Sequence, residues 1–240
     1  MHRKKTIGII GYGLGDNSFG AGKLHLDYLS RFGKPRILMP TDEDVEDVDL
    51  LYLPGGLDLN PSNYGQVPGF FTSNSDVYKE YFYRVMLPKY VEANVPIFGV
   101  CLGFQMLNVF FGGSLTQHLP DHPESSMRGR AGHRILKVVD VEEGGFILEH
   151  KKTKEGKEIG GFEVNSHHHQ GVLIENLSKE FEPLYASLDG VVEIMQHKTK
   201  PIFCIQSHPE EFYTPIADIH FEHLLRGEVK EQVEKISIGI

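Results

Sequence analysis

Apolar and polar positions in the first half of the chain follow two alternating rhythms. KTIGIIG (5–11) is a short apolar run ending in glycine. A segment with helical spacing, AGKLHLDYLSRFG (21–33), follows it and stops at Gly33. RILMP (36–40) and DLLYLPGG (49–56) read as two further strands. Residues 76–93 again carry apolar positions at helical spacing, which Pro88 should kink or end. VPIFGV (95–100) is a fourth strand and runs directly into CLGFQMLNVFFGG, a helix closed by Gly112 and Gly113. Strands that alternate with helices predict parallel pairing, hence an α/β three-layer sandwich with a mostly parallel central sheet.

The second half changes character. RILKVVDV (134–141), GGFEVNS (160–166), VVEIMQH (191–197) and PIFCIQS (201–207) are short strands separated by turn residues. They predict a small antiparallel β extension, either added to one edge of the central sheet or folded as a layer beside it. A last amphipathic helix is expected over 215–226, continuing towards about 235. KKTKEGKE (151–158) reads as a solvated charged turn. With no repeat, linker or low-complexity tract, residues 1–240 are expected to form a single catalytic domain.

Composition narrows the partners. A formal net charge of −9 argues against nucleic acid, because no basic patch large enough to release counterions is evident. No apolar run approaches the length of a membrane span, and the opening HRKK is not followed by the apolar stretch of a signal peptide. Cys101 and Cys204 sit in different local settings and form no disulfide framework, so the expected location is cytoplasmic.

The sharpest chemical signal is GVCLG (99–103), which ends an apolar run and opens a helix. That context suits a nucleophile elbow, in which flanking glycines permit a sharp turn and the helix N-terminus favours a Cys101 thiolate. A buried cysteine at an ordinary strand–helix junction fits the same five residues. IQSHPEE (205–211) supplies a base, His208, directly after a strand, with Glu210 two residues on to fix its tautomer. Oxyanion stabilisation needs backbone N–H donors. One is the amide of Leu102, and LPGG (53–56) can bring a second close to a substrate carbonyl, although PGG alone also suits a simple tight turn.

LPGG, GVCLGFQMLN and QSHPE, in that order, resemble the class I glutamine amidotransferases. PGGLDLNPSNYG (54–65), LNVFFGGSLTQHLP (107–120) and VNSHHHQGV (164–172) are similar to the gamma-glutamyl hydrolase branch, especially bacterial enzymes acting on gamma-glutamyl-gamma-aminobutyrate. The resemblance covers roughly 35–215 and implies a flavodoxin-like fold. It implies Cys101 as nucleophile, His208 as acid/base and Glu210 as orienter, with the oxyanion on the N–H groups of Gly56 and Leu102. It implies substrate contacts from Gly55, Gln105, Asn165, Ser166, His168 and His169, a glutamyl-thioester intermediate, and no metal or organic cofactor.

Departures bear on the substrate. Leu102 follows the nucleophile where the bacterial gamma-glutamyl hydrolases often place arginine, the stretch between the second and third strands is short, and GYGLGDNSFGAG is unlike the family. Three functions therefore stay open: a stand-alone hydrolase of glutamine or a small gamma-glutamyl amine, a glutaminase subunit passing ammonia to a separate synthetase partner, and a catalytically silent binding relative. A homodimer is the family-level expectation.

Other motifs have plainer readings. GYGLGD (11–16) resembles a dinucleotide fingerprint but has Asp16 where the third glycine belongs, so a loop near the active-site mouth is expected. Cys204 reads as a packed thiol, and Tyr64 as either a pocket or a turn residue. His118, His122 and His133 are expected in loops or at the surface, His133 near the second-half strands. In VNSHHHQG only His167 and His169 can share a side of an extended strand, and no Cys, Asp or Glu stands nearby at usual ligand spacing. That stretch is expected to serve substrate binding and not a metal.

Overall fold

In the computed structural model, residues 3–15, 18–39, 42, 45, 47–142, 145–149, 151–152, 154 and 158–228 are described. Five strands form the parallel core of one sheet: β1 (Thr6–Ile10), β4 (Lys34–Leu38), β5 (Leu50–Leu53), β6 (Ile97–Val100) and β14 (Ile202–Ile205). Their order across the sheet is β14-β6-β5-β1-β4. Between β1 and β4 lie the hairpin of β2 (Tyr12–Gly15) and β3 (Ser18–Gly20) and helix α1 (Lys23–Ser30). The loop expected at 11–16 is thus partly a hairpin, and Asp16 lies outside the described residues.

Alternation along these strands separates two cores. Ile7, Ile9, Leu50, Tyr52 and Phe98 face one layer, where α1 and the last helix α5 (Pro215–Arg226) contribute Tyr28, Leu29, Ala217 and Phe221. Ile10, Leu51, Leu53 and Ile97 face the other. That layer holds α4 (Leu102–Phe110) and a segmented helix, α2 (Val77–Tyr81), a π-helical turn (Phe82–Met86) and α3 (Leu87–Glu92). Every residue of β5 and β6 is buried, as expected of strands covered on both faces. The helix is divided next to Pro88, with a π turn between α2 and α3. Lacking an N–H, Pro88 sits in the first turn of α3, where no intrahelical bond is required of it.

The second half extends the same sheet, so of the two arrangements open to the sequence the chain takes edge addition. β7 (His133–Glu142), β11 (Phe162–Val164), β12 (Phe181–Ser187) and β13 (Val192–His197) continue from β14 in the order β13-β12-β7-β11, all antiparallel, with β8 (Gly145–Leu148) paired on β7. β12 is absent from the sequence reading because Pro183 breaks its apolar alternation and its register shifts there. β9 (Lys151–Lys152) and β10 (Glu158–Ile159) close the predicted charged turn as an antiparallel pair. The expected continuation of α5 towards 235 lies outside the described residues beyond 228. Among the described residues no helix is long and apolar enough to cross a membrane.

Candidate active site

The carboxyl ends of β5, β6 and β14 are neighbours, with Leu53 and Cys204 both in register with Gly99. Open α/β sheets bind ligands at that edge. Here it brings together the LPGG turn after β5, Cys101 after β6, and His208 shortly after β14.

Cys101 has φ 49° and ψ −105°, a conformation that side-chain-bearing residues rarely adopt. Its N–H donates to the carbonyl of Ile205, and its carbonyl accepts the first bond of α4 from the Gln105 N–H. The two flanking glycines are steric necessities. A Cβ on Gly99 would lie 2.8 Å from Leu107 Cδ1 and 3.0 Å from the Gly103 carbonyl carbon, and one on Gly103 would strike the Leu53 carbonyl oxygen. The strained cysteine at a helix N-terminus is what an elbow requires, and an ordinary strand–helix junction would not need it.

His208 Nδ1 lies 2.7 Å from Glu210 Oε1. The His208 N–H donates to Asn165 Oδ1 at 2.9 Å, which fixes the backbone carrying the imidazole. A Cβ on Gly55 would lie 2.6 Å from His208 Cε1 and 3.4 Å from Cys101 Cβ, so all three residues crowd one point. Burial opposes a charge on His208, but the Cys101 sulfur and the Glu210 carboxylate outweigh it and hold the imidazole well above its usual pKa. Burial likewise pushes the Glu210 carboxyl up, and the His208 and His25 rings reverse this, leaving it below the usual range.

Two supports of this pair escaped the sequence reading. His25 Nδ1, from α1, lies 3.1 Å from the Tyr52 hydroxyl and 3.3 Å from Glu210 Oε1. Lys79, from α2, is buried, and its ammonium donates to the Gly55 carbonyl and lies 5.8 Å from the centre of the Tyr12 ring. Desolvation lowers the Lys79 pKa, against the pull of Asp76 and Cys101. Neither residue lies in a recognisable motif, and each reaches the site from a helix face remote in sequence.

The other sequence candidates are mostly inside the fold. Gln105 is buried, and its amide donates to the Gln170 carbonyl at 3.1 Å and to Gln206 Oε1 at 3.3 Å. Asn165 and Ser166 are fully buried, and the Ser166 N–H donates to Ser125 Oγ. His169 Nε2 lies 3.2 Å from Asp58, and His167 Nε2 lies 3.4 Å from Glu211. His168 turns the opposite way. It does not line a pocket with His169 but joins a buried group with His122 and Glu193. Of the two settings expected for His122, loop or surface, it takes the first; its side chain is buried, because β13 and the turn at Asp189 close over it. Cys204 is fully buried, which raises its thiol pKa and matches a packed role. Tyr64 is half-buried against the core.

Comparisons with known proteins identify the family and the fold. The Peptidase C26 family model matches residues 36–210. YvdE of Lactococcus lactis subsp. lactis, a glutamine amidotransferase-like protein, is 31% identical over 77% of this chain and 78% of its own. The glutamine-hydrolysing GMP synthase subunit of Pyrococcus abyssi is 31% identical over 60% of this chain and 64% of its own. The gamma-glutamyl-gamma-aminobutyrate hydrolase of Escherichia coli O157:H7 is 28% identical over 79% and 74%. Among solved structures, a Thermoplasma acidophilum protein assigned as a GMP synthase subunit superposes with a TM-score of 0.60, covering 98% of this chain and all of that one at 21% identity. The fold is accordingly that of the class I glutamine amidotransferases, and by the extent of the family match the chain belongs to the Peptidase C26 family.

Proposed function

We propose that the chain hydrolyses the γ-glutamyl amide bond of glutamine or of a small γ-glutamyl amine, with Cys101, His208 and Glu210 as a catalytic triad. One observation carries the reading: a strained, buried Cys101 stands at a helix N-terminus beside an imidazole whose other nitrogen is held by a buried carboxylate. The sulfur attacks the amide carbonyl, and the developing oxyanion rests on the N–H groups of Gly56 and Leu102. His208 gives its proton to the leaving amine, and a glutamyl thioester remains on Cys101. Water, deprotonated by the same ring, then releases glutamate and free thiol. His169, paired with Asp58 at 3.2 Å, and the Gly55 edge are our candidates to receive the amino-acid end of the substrate. The steps need no organic cofactor, and the chain acts in the cytoplasm, where its two unpaired cysteines stay reduced.

The named function of one relative, the γ-glutamyl-γ-aminobutyrate hydrolase, supports a stand-alone hydrolase within a single catalytic domain. A second reading, a glutaminase subunit supplying a synthetase, is favoured by Leu102 after the nucleophile and by the similarity to the GMP synthase subunit of Pyrococcus abyssi. Incubating the purified chain with glutamine and a panel of γ-glutamyl amines, while following glutamate, separates the two. Turnover of an amine with little glutaminase activity excludes the glutaminase reading. Negligible activity that a partner protein restores for glutamine excludes the hydrolase. Glutamate release that survives Cys101→Ala would overturn both.

A further inference from the structure

A second polar cluster lies behind the segment that carries Asn165, and the proposed chemistry does not use it. His133 opens β7, Glu193 stands in β13, His122 comes from the loop before β7, and His168 is the middle histidine of VNSHHHQG. His122 and His168 are each 7% exposed and Glu193 1%. The His122 ring centre lies 4.6 Å from that of His133 and 4.7 Å from that of His168.

The outward nitrogens of all three rings are committed. His122 Nδ1 lies 2.8 Å from Asp189 Oδ2, His133 Nδ1 3.2 Å from the Pro123 carbonyl, and His168 Nδ1 2.9 Å from the Gln170 carbonyl. Carbonyl and carboxylate oxygens only accept, so each Nδ1 carries the hydrogen and each neutral ring turns an Nε2 lone pair inward. The Nε2 atoms of His122 and His168 have no hydrogen-bond partner, and His133 Nε2 has only the Glu193 carboxylate, to which it can donate when its ring is charged. Glu193 Oε1 lies 3.2 Å from His133 Nε2 and 3.6 Å from His122 Nε2.

Three lone pairs and a carboxylate thus face one another in a closed interior. One proton can join one ring to Glu193 but leaves the other two rings without a donor, and charging all three would bury three cations. A single divalent cation satisfies all four groups at once.

We propose that His122, His133, His168 and Glu193 form a structural zinc site. Three imidazoles and a carboxylate match the ligand preference of zinc, and Asp189, Pro123 and Gln170 supply the outer acceptors that orient ligating histidines. Zinc–ligand bonds of about 2.0–2.1 Å put tetrahedral donors roughly 3.4 Å apart, close to the two Glu193 separations. The donor atoms of His122, His168 and Glu193 lie within 4.8 Å of one another, so these three need close by about 1.4 Å at most, and His133 joins them from the Glu193 side, at 3.2 Å. Four protein ligands and near-complete burial leave no position for substrate. The ion instead ties β7, β13 and the 119–123 loop to the segment 165–170, whose Asn165 holds the His208 backbone and whose Gln170 carbonyl holds Gln105.

Spacing around 167–169 could not reveal the site. Alternation singles out His167 and His169, whereas the proposed ligand is the residue between them, with partners from positions 122, 133 and 193.

The test is metal analysis of tag-free protein from zinc-supplemented cells, desalted before measurement, and it needs no activity. About one zinc per chain is expected in the wild type and in Cys101→Ala, falling below about a tenth in His168→Ala and Glu193→Gln. Chelator-treated wild type should bind Co²⁺ with the strong visible absorption of a four-coordinate site and no thiolate charge-transfer band. Asp189→Asn, which keeps the fold and all four ligands, should weaken Co²⁺ binding by about 10-fold or more. Metal-free wild type without a four-coordinate Co²⁺ spectrum, a thiolate band, or full zinc in both ligand variants would each overturn the proposal. Should those variants fail to fold, the wild-type Co²⁺ titration decides alone.

Discussion

Lys79→Met tests how the proposed oxyanion donor at Gly56 is aimed. The Gly55 carbonyl and the Gly56 N–H belong to one trans peptide plane and point in opposite directions. The buried Lys79 ammonium holds the carbonyl, so it also sets the direction of the N–H. Methionine keeps the length of the side chain and removes only the donor. Loss of an oxyanion donor outright costs about 10²–10³ in kcat, and misaiming one that is still present should cost less, about 10–100-fold, or roughly 1.4–2.7 kcal/mol. The effect belongs to the transition state, so kcat should fall while KM stays within about twofold. Stability should hold or rise, since a desolvated charge is removed. Steady-state glutamate release on the best substrate of the panel is the assay. A kcat within about twofold of wild type, or a loss carried wholly by KM, would refute the argument.

Three further outcomes follow from the same geometry. Cys101→Gly should be about 1 kcal/mol more stable to urea than Cys101→Ala, because only glycine relieves φ 49°; equal or lower stability would deny the strain. Gly103→Ala drives a methyl into the Leu53 carbonyl and should cost about 1–3 kcal/mol, read as a lower urea midpoint, and an unchanged midpoint would contradict the packing. Burial against Phe203, with His223 beside it, lowers the His220 pKa from 6.5 to about 3. The native state therefore favours the neutral ring, and its contribution is complete above pH 6.5 and is lost as pH falls towards about 3. His220→Phe should recover about 2 kcal/mol at about pH 5 relative to about pH 7, and a melting profile as acid-sensitive as wild type would count against it.

The parallel core was legible because central strands must be apolar on both faces, and β5 and β6 have no polar side chain at all apart from the Tyr52 hydroxyl. The candidate triad was legible because its parts sit at strand ends in short motifs whose glycines are sterically forced. What could not be read depends on register. Lys79, His25 and Tyr52 reach the site from three separate elements, and nothing local distinguishes Lys79 from a solvated lysine on a helix. Strand β12 was hidden by Pro183, and the pairing of β13 with β12 and β14 is what brings Glu193 under three histidines drawn from a loop, a strand start and a second loop. Periodicity orients a side chain relative to its own strand; only the sheet order says what stands opposite.

The central claim is a glutamyl thioester on Cys101, and partitioning tests it most directly. Several γ-glutamyl amines with different leaving groups are turned over in the presence of hydroxylamine, and glutamate and γ-glutamyl hydroxamate are measured together. A common thioester predicts one hydroxamate-to-glutamate ratio for every substrate, whatever the leaving amine, with both products lost in Cys101→Ala. A ratio that changes with the leaving group, or hydroxamate formed without Cys101, would contradict it.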